Sequence, residues 1–274
     1  MPELCRAVRA HDRFTATPTA SVARCYPPRA VIRVRGLSKS FASPVLRDVT
    51  FDVPNGCLYG LVGPGASGKS VLLKCIVGLL RADRGTVEVN DEELTALTEI
   101  DLQRARAKFG FLFQNYALFD YLTVGENIAF PLRRLGGLEE EEITRRVAER
   151  LAAVSLPGFE SRMPSGLSGG QKKRVGVARA TVSRAPYVLY DEPAAGLDPV
   201  TSQKIFDLLH KEQRESHATV IMVSSDIDRL LTVTDRVGML YRGELIFDGS
   251  TEAAKQSEHP VVKQFVHGLT EGPL

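Results

Sequence analysis

Gly63, Gly68, Lys69 and Ser70 fall at the spacing G-x-x-x-x-G-K-S, between an apolar run at 58–62 and a stretch at 70–80 with apolar residues at helical spacing. That pattern suits phosphate chemistry. Glycines let backbone N–H groups close on phosphate oxygens, a helix N-terminus adds positive potential, a lysine neutralises the terminal oxygens and a serine hydroxyl can ligate Mg²⁺. The expected nucleotide contacts are therefore Gly63, Pro64, Gly65, Ala66, Ser67, Gly68, Lys69, Ser70 and Val71, with Lys69 also catalytic and Ser70 also a metal ligand. Asp191 and Glu192 end a second apolar run, 187–190. Adjacent carboxylates at a buried strand end are costly unless a metal or a proton transfer uses them. Asp191 is expected to hold Mg²⁺ through water. Glu192, one residue on and facing the opposite way along an extended strand, is expected to polarise an attacking water. Ser168, Gly169, Gly170 and Gln171 precede a stretch, 172–182, in which Val175, Ala178 and Val182 recur at spacings of three and four. Ser168 thus reads as a helix N-cap and the segment as a second anion site.

The elements that must position these residues follow from periodicity. Residues 31–35 and 49–53 alternate apolar and polar, as half-buried antiparallel strands do. The runs 58–62, 109–113, 187–190 and 220–223 suit buried parallel strands, with helices expected over 70–80, 139–154, 172–182 and 201–212. In 139–154, Ile143, Val147, Leu151 and Val154 share one face, and the acidic run 139–142 suits a solvated first turn pairing with Arg145 and Arg146. Residues 237–241 and 245–247 flank Arg242 and Gly243 as a closing hairpin. Alternating strands and helices imply an α/β core.

Composition narrows the function. Lys and Arg number 35 against 33 Asp and Glu, a net charge of +2, so no cationic field is available to hold nucleic acid. The longest apolar stretch, 71–80, contains Lys74 and is far short of the roughly 20 residues of a membrane span. The 4 cysteines form neither a Cys-x-x-Cys pair nor a disulfide-dense scaffold, which suits a reducing cytosol. Residues 1–30 carry 5 Arg against one Glu and one Asp without an apolar core, and read as a flexible arm rather than a secretory signal.

A P-loop, then Gln114 after an apolar strand, then Leu167 to Gln171 ahead of the strand ending at Asp191 and Glu192 resembles an ABC-family ATPase subunit over about 31–249. The resemblance implies a P-loop NTPase fold with a RecA-like core, an antiparallel β subdomain and a helical subdomain inserted at about 115–182. It implies ATP and Mg²⁺ as cofactors and a head-to-tail dimer, in which Ser168, Gly169, Gly170 and Gln171 of one copy cover ATP on the other's P-loop. It implies that Gln114 contacts Mg²⁺ and senses the nucleotide, that Phe41 stacks on adenine, a core phenylalanine being the alternative, and that Gly196 to Asp198 pass signals between copies.

Residues 112–120, 122–132 and the tail around Val262, Phe265, Gly268 and Pro273 are similar to ATPases of the Mla/Mce lipid-transport systems. This implies a motor on the cytoplasmic face of the inner membrane, working with two transmembrane permeases and a lipid-binding Mce-type protein. Tyr116, Phe119 and Tyr121 lie in the stretch expected beneath the permease, with packing inside the helical subdomain as the alternative. The tail at 250–274 is expected to contact the partner copy or to pack on its own domain. Two departures stand out. Ser225 occupies the place of the family's usual phosphate-sensing histidine, so catalysis through Glu192 and Ser225 is expected to be slow; Gly166 stands where relatives commonly have Glu. An ABC ATPase for another cargo, or a regulatory ATP-binding subunit with weak hydrolysis, remains the alternative function.

Overall fold

The computed structural model describes residues 30–274; the arm expected at 1–30 lies, through residue 29, outside the described residues. β1 (Ala30–Ser40) and β2 (Pro44–Pro54) pair antiparallel, Val34 opposite Phe51 and Ile32 opposite Val53, so their apolar alternation falls on one buried face. β3 (Leu58–Val62), buried at every position, runs through the glycine-rich loop into α1 (Lys69–Ile76). β4 (Arg84–Val89) and β5 (Glu92–Glu93) return to the first sheet, whose order is β2-β1-β4-β5. α2 (Glu99–Arg106), capped by the Thr98 side chain, leads to β6 (Phe109–Leu112). The inserted helices are α3 (Val124–Leu135), α4 (Glu140–Ala153) and α5 (Gly169–Thr181). Then come β7 (Tyr187–Asp191), α6 (Pro199–Ser216), β8 (Thr219–Val223) and α7 (Ile227–Val233). The hairpin of β9 (Arg236–Tyr241) and β10 (Glu244–Ser250) and the short helices α8 (Thr251–Lys255) and α9 (Pro260–His267) close the chain.

The central sheet has the order β10-β9-β3-β8-β7-β6, parallel from β9 to β6 with β10 antiparallel at its edge. One face joins α1 and the four-stranded sheet in a core of Tyr59, Leu61, Leu72, Leu73 and Ile76, where Phe51 stacks on Tyr59 at 5.3 Å. The other face, with Val188, Tyr190 and Met222, packs with the inserted helices and α6, and Val261, Val262 and Val266 of α9 join the same core. The tail thus folds on its own domain, where the Leu274 amide donates to Gln264 Oε1 at 2.8 Å. The stripe Ile143, Val147, Leu151 and Val154 is buried as its spacing predicts. No helix among the described residues is long and apolar enough to cross a membrane.

Element ends differ from the sequence reading for local reasons. α1 stops at Ile76 because the amides of Leu79 and Leu80 turn back onto the Lys74 carbonyl, closing the last turn. α6 starts two residues before the expected Thr201, since the Asp198 carboxylate accepts from the Val200 and Thr201 amides and Pro199 fits a first helical turn. In the acidic run, Glu142 pairs with Arg145 and Arg146, whereas Glu140 reaches back to Arg133 on α3.

A fully buried asparagine ties down the segment before α3. Asn127 Nδ2 donates to the carbonyls of Phe119, Leu122 and Thr123 at 3.0, 3.0 and 2.9 Å, and Oδ1 accepts from the Phe119 amide at 2.8 Å. Truncating it strands these backbone groups in the interior. Asn127→Ala is expected to destabilise the chain by about 2 kcal/mol or more, measured by urea unfolding; a change under about 0.5 kcal/mol, typical of a surface position, would contradict this role.

Candidate nucleotide site

The parallel strands bring the sequence-predicted residues to one edge. A cleft of about 410 Å³ is lined by Val45, the P-loop residues 65–71, Gln114, Asp191, Glu192 and Val223. Backbone geometry explains the P-loop glycines: Gly63 has φ +145°, and a Cβ there would lie 2.0 Å from the Leu240 carbonyl oxygen. Gly68, φ +105°, forms the left-handed N-cap of α1, where a Cβ would crowd Leu46. Lys69 Nζ donates to the carbonyls of Gly63 and Pro64 at 2.7 and 2.8 Å, so its charge rests on the loop itself. Ser70 Oγ donates to Asp191 Oδ1 at 3.0 Å, joining the P-loop helix to the end of β7.

Glu192 departs from the extended strand expected of it. β7 ends at Asp191, and Glu192 turns into the left-handed region at φ +56°, immediately before Pro193. Its amide donates to the Val223 carbonyl at 3.0 Å, and its carboxylate Oε2 accepts from both the amide and the hydroxyl of Ser225, each at 3.0 Å. Ser225, expected to meet phosphate, therefore lies at the end of β8 as a partner of Glu192.

Other predicted positions lie apart from the cleft. Phe41, 59% exposed, sits in the turn between β1 and β2 with Lys39 Nζ 5.5 Å from its ring centre, outside the residues that line the cleft. Ser168 and Gln171 form a reciprocal capping box at the start of α5: Ser168 Oγ accepts from the Gln171 amide, and Gln171 Oε1 accepts from the Ser168 amide. With Gly169 and Gly170, they do not line this chain's own cleft. Of the aromatics following Gln114, Tyr121 is 75% exposed while Tyr116 and Phe119 are half-buried.

Three residues outside the motif reading hold the site. Lys173 on α5, only 2% exposed, donates to the Glu192 carbonyl at 2.8 Å and the Ala195 carbonyl at 3.1 Å, with the Tyr116 ring centre 5.3 Å from its ammonium. Arg179, six residues further along α5, donates to the Ala117 and Tyr116 carbonyls at 2.7 and 2.5 Å, where both residues have left-handed backbone. Asn127 anchors the other end of that segment. The sequence signal for Lys173 was its spacing of four and seven from Val177 and Ala180, which puts a charged residue on a second buried face of α5.

Residues 46–195 match the sequence model of the ABC transporter family. The chain belongs to that family. Over 249 residues it is 40% identical to the probable ribonucleotide transport ATP-binding protein mkl of Mycobacterium leprae, covering 90% of this chain and 72% of that one. Over 261 residues it is 35% identical to the chloroplastic protein TRIGALACTOSYLDIACYLGLYCEROL 3 of Arabidopsis thaliana, covering 89% and 75%. A dimeric ATP-binding cassette solved in a post-hydrolysis state with ADP and Pi superposes with a TM-score of 0.77 at 31% identity, covering 80% of this chain and 98% of that one. The fold is that of an ABC ATPase, and the chain is an ATPase of this type.

The electrostatics of this ABC ATPase suit a cationic and phosphate-bearing ligand. Burial pushes the Asp191 carboxyl above the usual carboxylate range, against the Ser70 hydrogen bond and the nearby Lys74, Lys69 and Lys173. Burial likewise lowers Lys69 and Lys173, opposed by Glu192 and Asp191. A buried carboxylate beside a serine hydroxyl is a donor set that Mg²⁺ accepts, since that ion is held by one or two carboxylates together with substrate phosphates.

The raised Asp191 pKa has a stability consequence with a definite sign. The folded chain favours the protonated acid, so this contribution is present below the ordinary carboxylate range and is lost as pH rises through the raised value. The ligand-free Asp191→Asn variant, uncharged throughout, is expected to have a higher urea midpoint than wild type at about pH 7, the gap closing near about pH 3. A variant less stable than wild type at neutral pH would contradict the cost assigned to the buried charge.

Proposed function

We propose that this chain binds ATP and Mg²⁺ and hydrolyses ATP as the motor subunit of a lipid-transporting ABC complex, paired head-to-tail with a second copy beneath two permease subunits. The observation that carries the paired reading is the separation just described: the P-loop cleft and the capped N-terminus of α5 are both formed within one chain, yet the chain does not bring them together. A second copy presenting Ser168, Gly169, Gly170 and Gln171 completes the cleft. The dimeric cassette structures support this arrangement.

In this reading Lys69 leaves its loop carbonyls for the terminal phosphate oxygens, and the backbone amides of 65–71 hold the remaining phosphates. Ser70 and Asp191, with Gln114 across the cleft, would hold Mg²⁺, which supplies charge neutralisation on the phosphates. Glu192 orients and polarises the water. Phe41, free of core packing, offers its ring to the base.

A groove supports the permease partners. Ile100, Phe109, Phe130 and Leu135 line a depression of about 560 Å³ between α2 and α3, rimmed by Arg104, Arg106 and Arg134. Ile100, Phe130 and Leu135 are exposed. Apolar anchors with an arginine rim are the composition of a protein-binding surface. The exposed Tyr121 and the tail residues Leu269 and Leu274 add apolar surface for the permease and the second copy. The lipid cargo rests on the likeness of 112–132 and the tail to the Mla/Mce ATPases, which also supports a cytoplasmic-face location and an Mce-type lipid-binding partner. The relative named for a galactolipid supports it too, while the mycobacterial relatives' names point to ribonucleotides as the second reading.

The test is affinity purification of the tagged chain from detergent-solubilised native membranes, with mass spectrometry of proteins and bound small molecules. Two copies of this chain with permeases, an Mce-type protein and phospholipid are expected. A complex carrying ribonucleotide would move the cargo to the second reading, and a soluble homodimer without membrane partners would sink the transport reading.

Ser225 bears on rate. A serine hydroxyl reaches less far than an imidazole and carries no charge, and here it is engaged with Glu192. In the assembled complex, Ser225→His is expected to raise ATP turnover by about tenfold, less than the roughly hundredfold or more that a fully preorganised transition-state donor contributes. An unchanged or lower rate would count against slow hydrolysis.

A further inference from the structure

The backbone at Glu192 is held against two preferences at once. A non-glycine residue in the left-handed region is strained, and a residue that precedes proline is pushed toward extended conformations. Such strain persists only where the surroundings over-determine it. Three contacts do so: the Glu192 amide on the Val223 carbonyl, the carboxylate on Ser225, and the Glu192 carbonyl on Lys173 Nζ. The first two come from one side, from β8 and the residues that follow it. The third comes from the opposite side, from α5, and is the one that fixes the peptide plane between Glu192 and Pro193.

Lys173 is unusual for a buried lysine, because the hydrogen-bond partners of its ammonium are main-chain carbonyls rather than a carboxylate. A buried lysine is costly and is retained where it performs a task. The same ammonium also holds the Ala195 carbonyl, in the segment leading to Gly196 and Asp198, and faces the Tyr116 ring two residues after Gln114. The segments on both sides of the water-activating carboxylate therefore converge on one cation.

We propose that Lys173 is a positioning residue for hydrolysis, whose two hydrogen bonds to the Glu192 and Ala195 carbonyls hold Glu192 in the left-handed turn that aims its carboxylate into the cleft. The inference rests on the assignment of Glu192 to the water. Lys173 does not line the cleft, so its removal changes the rate of the chemical step and leaves nucleotide affinity alone. A neutral side chain that still donates to carbonyls replaces much of the function; an isosteric side chain without a donor does not.

The full-length chain is assayed as purified, with steady-state ATP turnover, equilibrium binding of ATP with Mg²⁺, and thermal midpoints for wild type, Lys173→Met, Lys173→Gln and Glu192→Gln. Lys173→Met is expected to lose at least about tenfold in kcat with KM and Kd for ATP within about twofold of wild type, and Lys173→Gln to stay within about threefold in kcat. Equal losses in the two variants, a loss carried by KM or Kd, or a Lys173→Met chain that does not fold would each overturn the proposal, the last by making Lys173 a residue of general stability. Glu192→Gln separates this from the reading beneath it. If that variant still turns over ATP, the assignment of Glu192 fails whatever Lys173 does. If it binds ATP without turnover while Lys173→Met matches wild type, only the role of Lys173 fails.

Discussion

The site depends on one constraint: parallel strands release the chain at the same edge of a sheet. β3, β6, β7 and β8 are hydrogen-bonded neighbours or near neighbours in one parallel array. Their carboxyl ends therefore deliver the P-loop, Gln114, Asp191 with Glu192, and Ser225 to a common rim, as open α/β sheets do with their ligand-binding loops. Residues more than a hundred positions apart meet without any special arrangement of side chains. The Ser70 to Asp191 hydrogen bond is the first product of that geometry, since it joins the loop after one strand to the end of another.

Placed on that rim, the groups are held by elements that do not themselves touch the cleft. α5 is central among these. Its N-terminus is finished by its own capping box, its middle grips the turn after β7 through Lys173, and its later part holds the segment after Gln114 through Arg179. Gly176 lets Leu112 and Tyr116 pack closely against the helix, because a Cβ there would come within 2.9 Å of Leu112. One rigid helix thus fixes, relative to one another, its own capped N-terminus, the carboxylate turn and the loop after Gln114.

Much of this was legible in the sequence because it is local. The apolar alternation of β1 and β2, the stripe of α4, the capping residue Ser168 and the P-loop spacing each depend on residues within a few positions of one another. What escaped the reading is non-local. Glu192 reads as the next residue of an extended strand until Val223 and Ser225, supplied by a neighbouring strand, pull it into a left-handed turn. Lys173 and Arg179 gain their tasks only when the fold lays the turn after β7 against one and the loop after β6 across the other. Asn127 shows nothing in its neighbours to mark it as the anchor of four backbone hydrogen bonds. Pairing of Glu140 with Arg133 depends likewise on how the two glycines between α3 and α4 reverse the chain.

Phe41 carries a last consequence. Its ring belongs to neither core and rests beside Lys39 in an exposed turn. Replacing it removes no packing, so selection acting at position 41 is uncoupled from selection for folding. Phosphate recognition, by contrast, is built into glycines and strand ends that the fold cannot exchange. Under the proposed stacking of Phe41 on the base, preference among nucleobases is therefore free to drift by single substitutions across descendants of such a chain, while the demand for a triphosphate stays locked to the architecture.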